Sequence, residues 1–104
     1  MAEIRWSLTA AADLRDIEEF IARDSSVHAV HFVDRLVAST EKLVDHPALG
    51  RRVPEFGRED LRELIFRGYR VVHLVHGPVI TIVRVVHGAR DLLDLSRREP
   101  WSLG

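Results

Sequence analysis

The stretch 61–87, LRELIFRGYRVVHLVHGPVITIVRVVH, decides the fold. Three runs rich in β-branched and aromatic residues, LRELIF (61–66), YRVVHLVH (69–76) and VITIVRVV (79–86), are separated only by Arg67-Gly68 and Gly77-Pro78. Glycine at such a joint supplies the backbone of a tight turn, so the stretch predicts a three-stranded antiparallel meander. With two-residue loops, alternation puts Arg62, Leu64, Phe66, Tyr69, Val71, His73, Ile80, Ile82, Arg84 and Val86 on one face. The other face takes Glu63, Ile65, Arg70, Val72, Leu74, Val83, Val85 and His87. Arg70 is then expected opposite Val85 and diagonal to His87, beside the polar run His87-Gly88-Ala89-Arg90-Asp91 that ends the apolar stretch.

Upstream the period changes. Residues 2–6 read as a short strand, with Ser7 and Thr9 as helix N-caps. In TAAADLRDIEEFIARD (9–24), Ala10, Leu14, Ile17 and Ile21, joined by Phe20, recur at helical spacing, while Asp13, Asp16, Glu18 and Glu19 fall outside that stripe. Asp24, Ser25 and Ser26 break the helix. A second one spans 27–46, with Ala29, Phe32, Val33, Leu36, Val37, Leu43 and Val44 as its stripe, and ends before Pro47, which cannot continue the ladder. The short link makes an antiparallel helical hairpin. Residues 47–60, PALGRRVPEFGRED, are the one long irregular segment. The expected architecture is therefore α+β, β-α-α-β-β-β, a helical hairpin packed on a small, mainly antiparallel sheet in a single domain, 1–104.

Length and composition agree. A chain of 104 residues with 46% hydrophobic and 30% charged residues and a net charge of -1 suits one small globular domain. No apolar run approaches the roughly 20 residues that cross a bilayer, and no basic leader precedes a short apolar run, so a cytoplasmic protein is expected. Cysteine is absent, which removes disulfides and thiolate chemistry. The charge is uneven: residues 1–49 carry five basic and nine acidic groups, whereas residues 50–104 carry ten arginines and seven acids. That basic half lacks the clustered stripe with interleaved aromatics of nucleic-acid binders, so direct nucleic-acid binding is not expected. His28 and His31 share a helix face, but no cysteine or carboxylate cluster completes a site; neither metal nor cofactor is expected.

A strand, a helical hairpin and a meander in this order resemble the RelE/ParE toxin superfamily of bacterial toxin–antitoxin systems. The pieces WSLTAAADLRDIEEFIA, HPALGRRVPE and RELIFRGYRVVHLVHGPVITIVRVVHGARDL cover almost the whole chain and are similar to the ParE branch, the plasmid stabilisation proteins. The resemblance implies a growth-inhibiting toxin of a type II system, bound and neutralised by a cognate antitoxin, ParD-like or similar, in a hetero-oligomer. In the ParE branch the implied act is poisoning of DNA gyrase by binding. In the RelE branch it is ribosome-dependent cleavage of mRNA.

The residues separate the two implied activities. RelE-like nucleases use lysines on the first meander strand, an arginine after the first turn, another after the last strand, and a tyrosine near the C-terminus. Arg70 and Arg90 match the two arginines. The strand LRELIF offers Glu63 where lysine is wanted, and Asp94-Leu95-Ser96 stands in place of the tyrosine. A nuclease would then rely on Arg70, His87 and Arg90, with the imidazole moving the proton. The plainer expectation pairs Arg70 and Arg90 with Glu63 and Asp91. A gyrase-binding toxin needs no catalytic set, only a surface of charge and apolar anchors, for which Arg51, Arg52, Arg58, Arg97, Arg98 and Trp101 are the candidates. Trp6 and Tyr69 are expected in or beside the core. The antitoxin is expected on the edge strand Leu61–Phe66 and on the helix stripes.

Overall fold

Ser7 turns the chain from strand to helix: its hydroxyl accepts the Ala10 N–H at 3.0 Å, a side-chain cap that Thr9 does not provide. In the computed structural model, which describes residues 2–99, strand β1 (Glu3–Trp6) leads into α1 (Leu8–Ala22) and α2 (Ser26–Thr40), the latter capped by Ser25. The second helix tightens into a single 3-10 turn, Glu41–Val44, ahead of Pro47. Strands β2 (Arg51–Arg52), β3 (Leu61–Phe66), β4 (Tyr69–His76) and β5 (Val79–His87) follow, and then α3 (Leu92–Arg98).

Both meander turns have two-residue loops, since Phe66 pairs with Tyr69 and His76 with Val79. Arg67 and Gly68 both have positive φ, 46° and 86°, as a turn matched to the right-handed strand twist requires. The sheet order is β1-β5-β4-β3-β2, with β1 parallel to β5 and the other pairs antiparallel. The α+β architecture is the expected one.

One residue changes the expected register. Val72 lies opposite Arg84 but His73 lies opposite Ile82, so Val83 is an extra residue, a β-bulge. Val85, Val86 and His87 therefore change faces, while Arg84 stays on the helical side with Asp13. Val85 joins the helix-side core with Ala10, Ile17, Phe32, Leu36, Leu43, Leu64, Val71, Ile80 and Ile82. Val86 goes to the opposite face, with Val53, Leu61, Val72, Leu74, Val83, Leu92 and Leu95. Thus Arg70 faces Val86 rather than Val85, and His87 faces Tyr69.

The sheet is covered on both sides, by the helical hairpin on one and by α3 with the Val53 loop on the other. Burying a leucine as fully as Leu36 or Leu92 contributes roughly 2 kcal/mol. Phe32 anchors the helical side, edge-on to Phe66 at 5.5 Å and to Tyr69 at 5.7 Å. Trp6 and Tyr69 pack against this core, as expected. Phe20 does not join the stripe; it is 62% exposed, with the Arg23 guanidinium over its ring. Strand β3 is not the sheet edge, because β2 pairs with its Arg62 and Glu63.

Candidate functional site

Arg70 enters the sheet from the first meander turn and is 5% exposed. Its Nε donates to Glu63 Oε1 at 2.8 Å, and Nη1 and Nη2 donate to Glu55 Oε2 and Oε1, both at 2.7 Å. Nη1 also donates to the carbonyl of Arg90 at 3.0 Å. Glu63 is buried on β3 and takes a second ion pair from Arg51 at 2.7 Å. Glu55 comes from the 47–60 loop and accepts the Leu92 N–H at 3.0 Å. The Arg70 hydrogen bonds hold the Glu55 carboxyl at about 2, well below its ordinary 4.5, and Glu55 in turn raises Arg70. So Arg70 pairs with Glu63, as the plainer expectation had it, and with a second carboxylate that sequence reasoning left in an irregular loop.

His87 is not beside Arg70. The bulge places it on the helical side, where its ring meets Tyr69 edge-on at 5.8 Å and its Nδ1 accepts the Ala89 N–H at 3.3 Å. A cleft of about 280 Å³ opens there, between α1 and the end of β5, lined by Asp13, Asp16, Tyr69, Arg84, His87, Arg90 and Glu99 among others. Arg84 and Asp13 form its wall: Nε and Nη2 donate to the two carboxylate oxygens at 3.0 and 3.1 Å, and the Val85 N–H donates to Asp13 Oδ2 at 2.8 Å. The proposed triad is thereby divided. His87 and Arg90 line this cleft, while the Arg70 guanidinium lies on the far face, in contact with Arg90 only through a backbone carbonyl. Among the described residues Asp91 pairs with no arginine; it caps α3 by accepting the Leu93 and Asp94 N–H groups.

The surface arginines occupy two regions. Arg51, Arg52 and Arg58 lie on the 51–60 segment, with partners Glu63, Glu59 at 3.9 Å and Asp60 at 2.7 Å. Arg97 and Arg98 end α3, Arg98 pairing with Asp94 one turn back at 3.1 Å. Trp101 lies outside the described residues. The helix stripes expected to take an antitoxin are buried against the sheet; the large apolar groups that the helical hairpin exposes are Leu8, Phe20, Val27 and Val30, and α3 exposes Leu93. Val27 and Val30 line a shallow groove with Ser26 and His31. Beyond β2, the outer side of Leu64–Phe66 carries no paired strand among the described residues, and Ile65 there is 59% exposed.

Three comparisons bear on this geometry. Residues 4–92 match the family described as the ParE toxin of the type II toxin–antitoxin system, parDE. Toxin RelE2 of Caulobacter vibrioides is 32% identical over 91 residues, which cover 86% of this chain and 99% of that protein. The solved chromosomal ParDE TA system from P. aeruginosa superposes with a TM-score of 0.69 at 26% identity, covering 84% of this chain and 96% of that one.

Proposed function

Since the chain belongs to the ParE toxin family of type II toxin–antitoxin systems, we propose that it arrests growth in the cytoplasm by docking on DNA gyrase, without cutting RNA. The burial of Arg70 between Glu55 and Glu63 carries this reading. A guanidinium that grips a phosphate must offer donors to solvent; this one spends them on its own carboxylates. Glu63 adds negative charge where a nuclease wants cations, and the imidazole of His87 sits across the sheet. Docking asks only for a surface. Arg51, Arg52, Arg58, Arg97, Arg98 and Trp101 would provide it, and no metal or cofactor enters.

The family implies an antitoxin partner, and we assign a ParD-like segment to the two surfaces the fold leaves open. One is the unpaired outer side of Leu64–Phe66, where an extended segment adds a strand. The other is the exposed helical patch of Phe20, Val27 and Val30, which suits the apolar side of a helix. Binding at either would form the hetero-oligomer that holds the toxin inactive and stabilises the plasmid.

One observation favours a second reading. His87, Tyr69 and Arg90 share an open cleft, an arrangement with a proton carrier, a phenol and a cation in reach of one ligand. A ribosome-dependent mRNA endonuclease would use it. Two assays on the purified chain decide: supercoiling by gyrase, and the length of mRNA on translating ribosomes. Inhibited supercoiling with intact mRNA supports docking; shortened mRNA with normal supercoiling overturns it.

A further inference from the structure

We infer that Arg70 is a positioning residue, which together with Glu55 clasps the segment 88–99 onto the outer face of the sheet and so places Arg90, Arg97 and Arg98. The guanidinium makes four hydrogen bonds, from Nε to Glu63 Oε1, from Nη1 and Nη2 to the two Glu55 oxygens and from Nη1 to the Arg90 carbonyl, and Nη2 also lies 2.7 Å from Glu63 Oε1 in an ion pair. The guanidinium is buried and turned onto these acceptors rather than toward solvent. The bond to the Arg90 carbonyl and the bond from Leu92 N–H to Glu55 tie the chain just before and just inside α3 to the same ion pair.

The segment needs such a tie. Helix α3 has seven residues, too few to be stable by its own hydrogen bonds, and it rests on the sheet through Leu92 and Leu95. At its start, Gly88 N–H donates to the Gly68 carbonyl at 2.7 Å, in a contact so close that a Cβ on Gly88 would stand 2.9 Å from that oxygen. The turn that carries Arg70 and the segment that carries Arg90 are thus joined twice, by backbone and by clasp. Substituting Arg70 would loosen the whole segment, so loss of activity on its removal would say nothing about contact with a substrate. Glu55 discriminates. A ligand-contacting Arg70 would be released by removal of Glu55, whereas a positioning Arg70 fails without it.

The test uses the full chain with Glu55→Gln, Arg70→Lys, Arg70→Gln and the double Glu55→Gln/Arg70→Gln, read by amide hydrogen exchange and by growth arrest on induction. The exchange arm is independent of the docking reading; the growth arm rests on it through the arginines of the segment. Expected is exchange about tenfold or more faster at Leu92–Leu95 in Glu55→Gln and Arg70→Gln, with α2 and β5 still protected, as loss of a charge-assisted bond implies. The double variant should be no worse than the worse single. Arg70→Lys, which keeps the charge but not the two-pronged geometry, should recover part of the loss, and growth arrest should weaken in parallel. Unchanged protection at Leu92–Leu95 in Glu55→Gln would overturn the inference, and so would growth arrest that survives Glu55→Gln but not Arg70→Lys. A uniform rise in exchange across α2 and β5 would also overturn it, by making the pair a general support of the fold.

Discussion

Asp13 and Arg84, 71 residues apart, close the helix–sheet interface at the β-bulge: one carboxylate takes both prongs of the guanidinium and the Val85 N–H. The bulge leaves that N–H turned toward α1, and a helix acid satisfies it. Both side chains are largely shielded, 13% and 6% exposed, so removing the Asp13 carboxylate takes the acceptor of both prongs from the Arg84 guanidinium in a poor solvent. Asp13→Asn should lower stability by about 3 kcal/mol in urea denaturation. Adding Arg84→Met should recover most of the loss, because the amide oxygen that replaces the carboxylate still accepts the Val85 bond while neither charge remains. A double variant no more stable than Asp13→Asn would refute this account.

A buried histidine and a half-buried carboxylate shape the acid response. His73 is fully buried, and burial pushes its pKa below the ordinary 6.5; Arg62 nearby adds to this, while backbone groups of Val71 and Leu49 and the charge of Glu63 oppose it. The unfolded chain takes up that proton near 6.5 and the fold refuses it, so its contribution is whole above pH 6.5 and declines below. Glu55, held at about 2 against 4.5 when free, contributes fully above pH 4.5 and loses it between 4.5 and about 2. The urea midpoint should therefore fall in two stages on acidification. His73→Leu should remove only the first stage and Glu55→Gln only the second; a His73→Leu protein that still weakens between about pH 7 and 5.5 would show the first assignment to be mistaken.

The meander was legible in the sequence because turn chemistry is local: Arg67-Gly68 and Gly77-Pro78 announce left-handed backbone, and alternation does the rest. The helical hairpin was legible for a similar reason, its stripe being a property of one segment. The bulge left no such mark. Val83 sits in a run of β-branched residues that suit either face, so nothing singles it out as the extra one. Asp13 read as a solvated helix residue and Glu55 as loop polarity because their partners, Arg84 and Arg70, lie 71 and 15 residues away, beyond any periodicity. Helix α3 has only two turns, too short for a periodic signal. The sequence did bring the Arg90 segment beside Arg70, but the contact runs through a carbonyl rather than the two side chains.

Gly50 shows how closely the 47–60 loop approaches the sheet. Its φ is +93°, and a Cβ there would come within 2.3 Å of the Glu63 carbonyl oxygen. Backbone on both sides leaves no side chain to yield. Gly50→Ala should cost about 2–4 kcal/mol, combining left-handed strain with displacement of β2 from β3. Loss of protection should concentrate at Val53, whose N–H donates to the Leu61 carbonyl across that junction, and at the facing pair Arg51 and Glu63. Gly57, with φ +63° and nothing near its missing Cβ, is the control: Gly57→Ala should carry the strain cost alone, roughly 1 kcal/mol. Equal losses at the two positions would rule out the close approach as the cause.

Tyr69 and His87 separate docking from bond cleavage by magnitude. Removing a general acid or base costs about 10²- to 10⁴-fold in rate, whereas truncating an average interface residue changes affinity by roughly fivefold or less. Tyr69→Phe removes one hydroxyl and keeps the ring that packs on Phe32, and His87→Ala trims an exposed side chain, so neither should unfold the protein. If the toxin works by docking, gyrase inhibition in both variants stays within about fivefold of the parent, and growth still stops on induction. Charge removal at Arg97 and Arg98 should instead weaken inhibition, and more at low salt than at high, because exposed charges are screened over about 10 Å at 0.1 M. Thousandfold loss of toxicity in Tyr69→Phe or His87→Ala, with the fold intact by circular dichroism, would move the activity into the α1–β5 cleft and make the chain a nuclease.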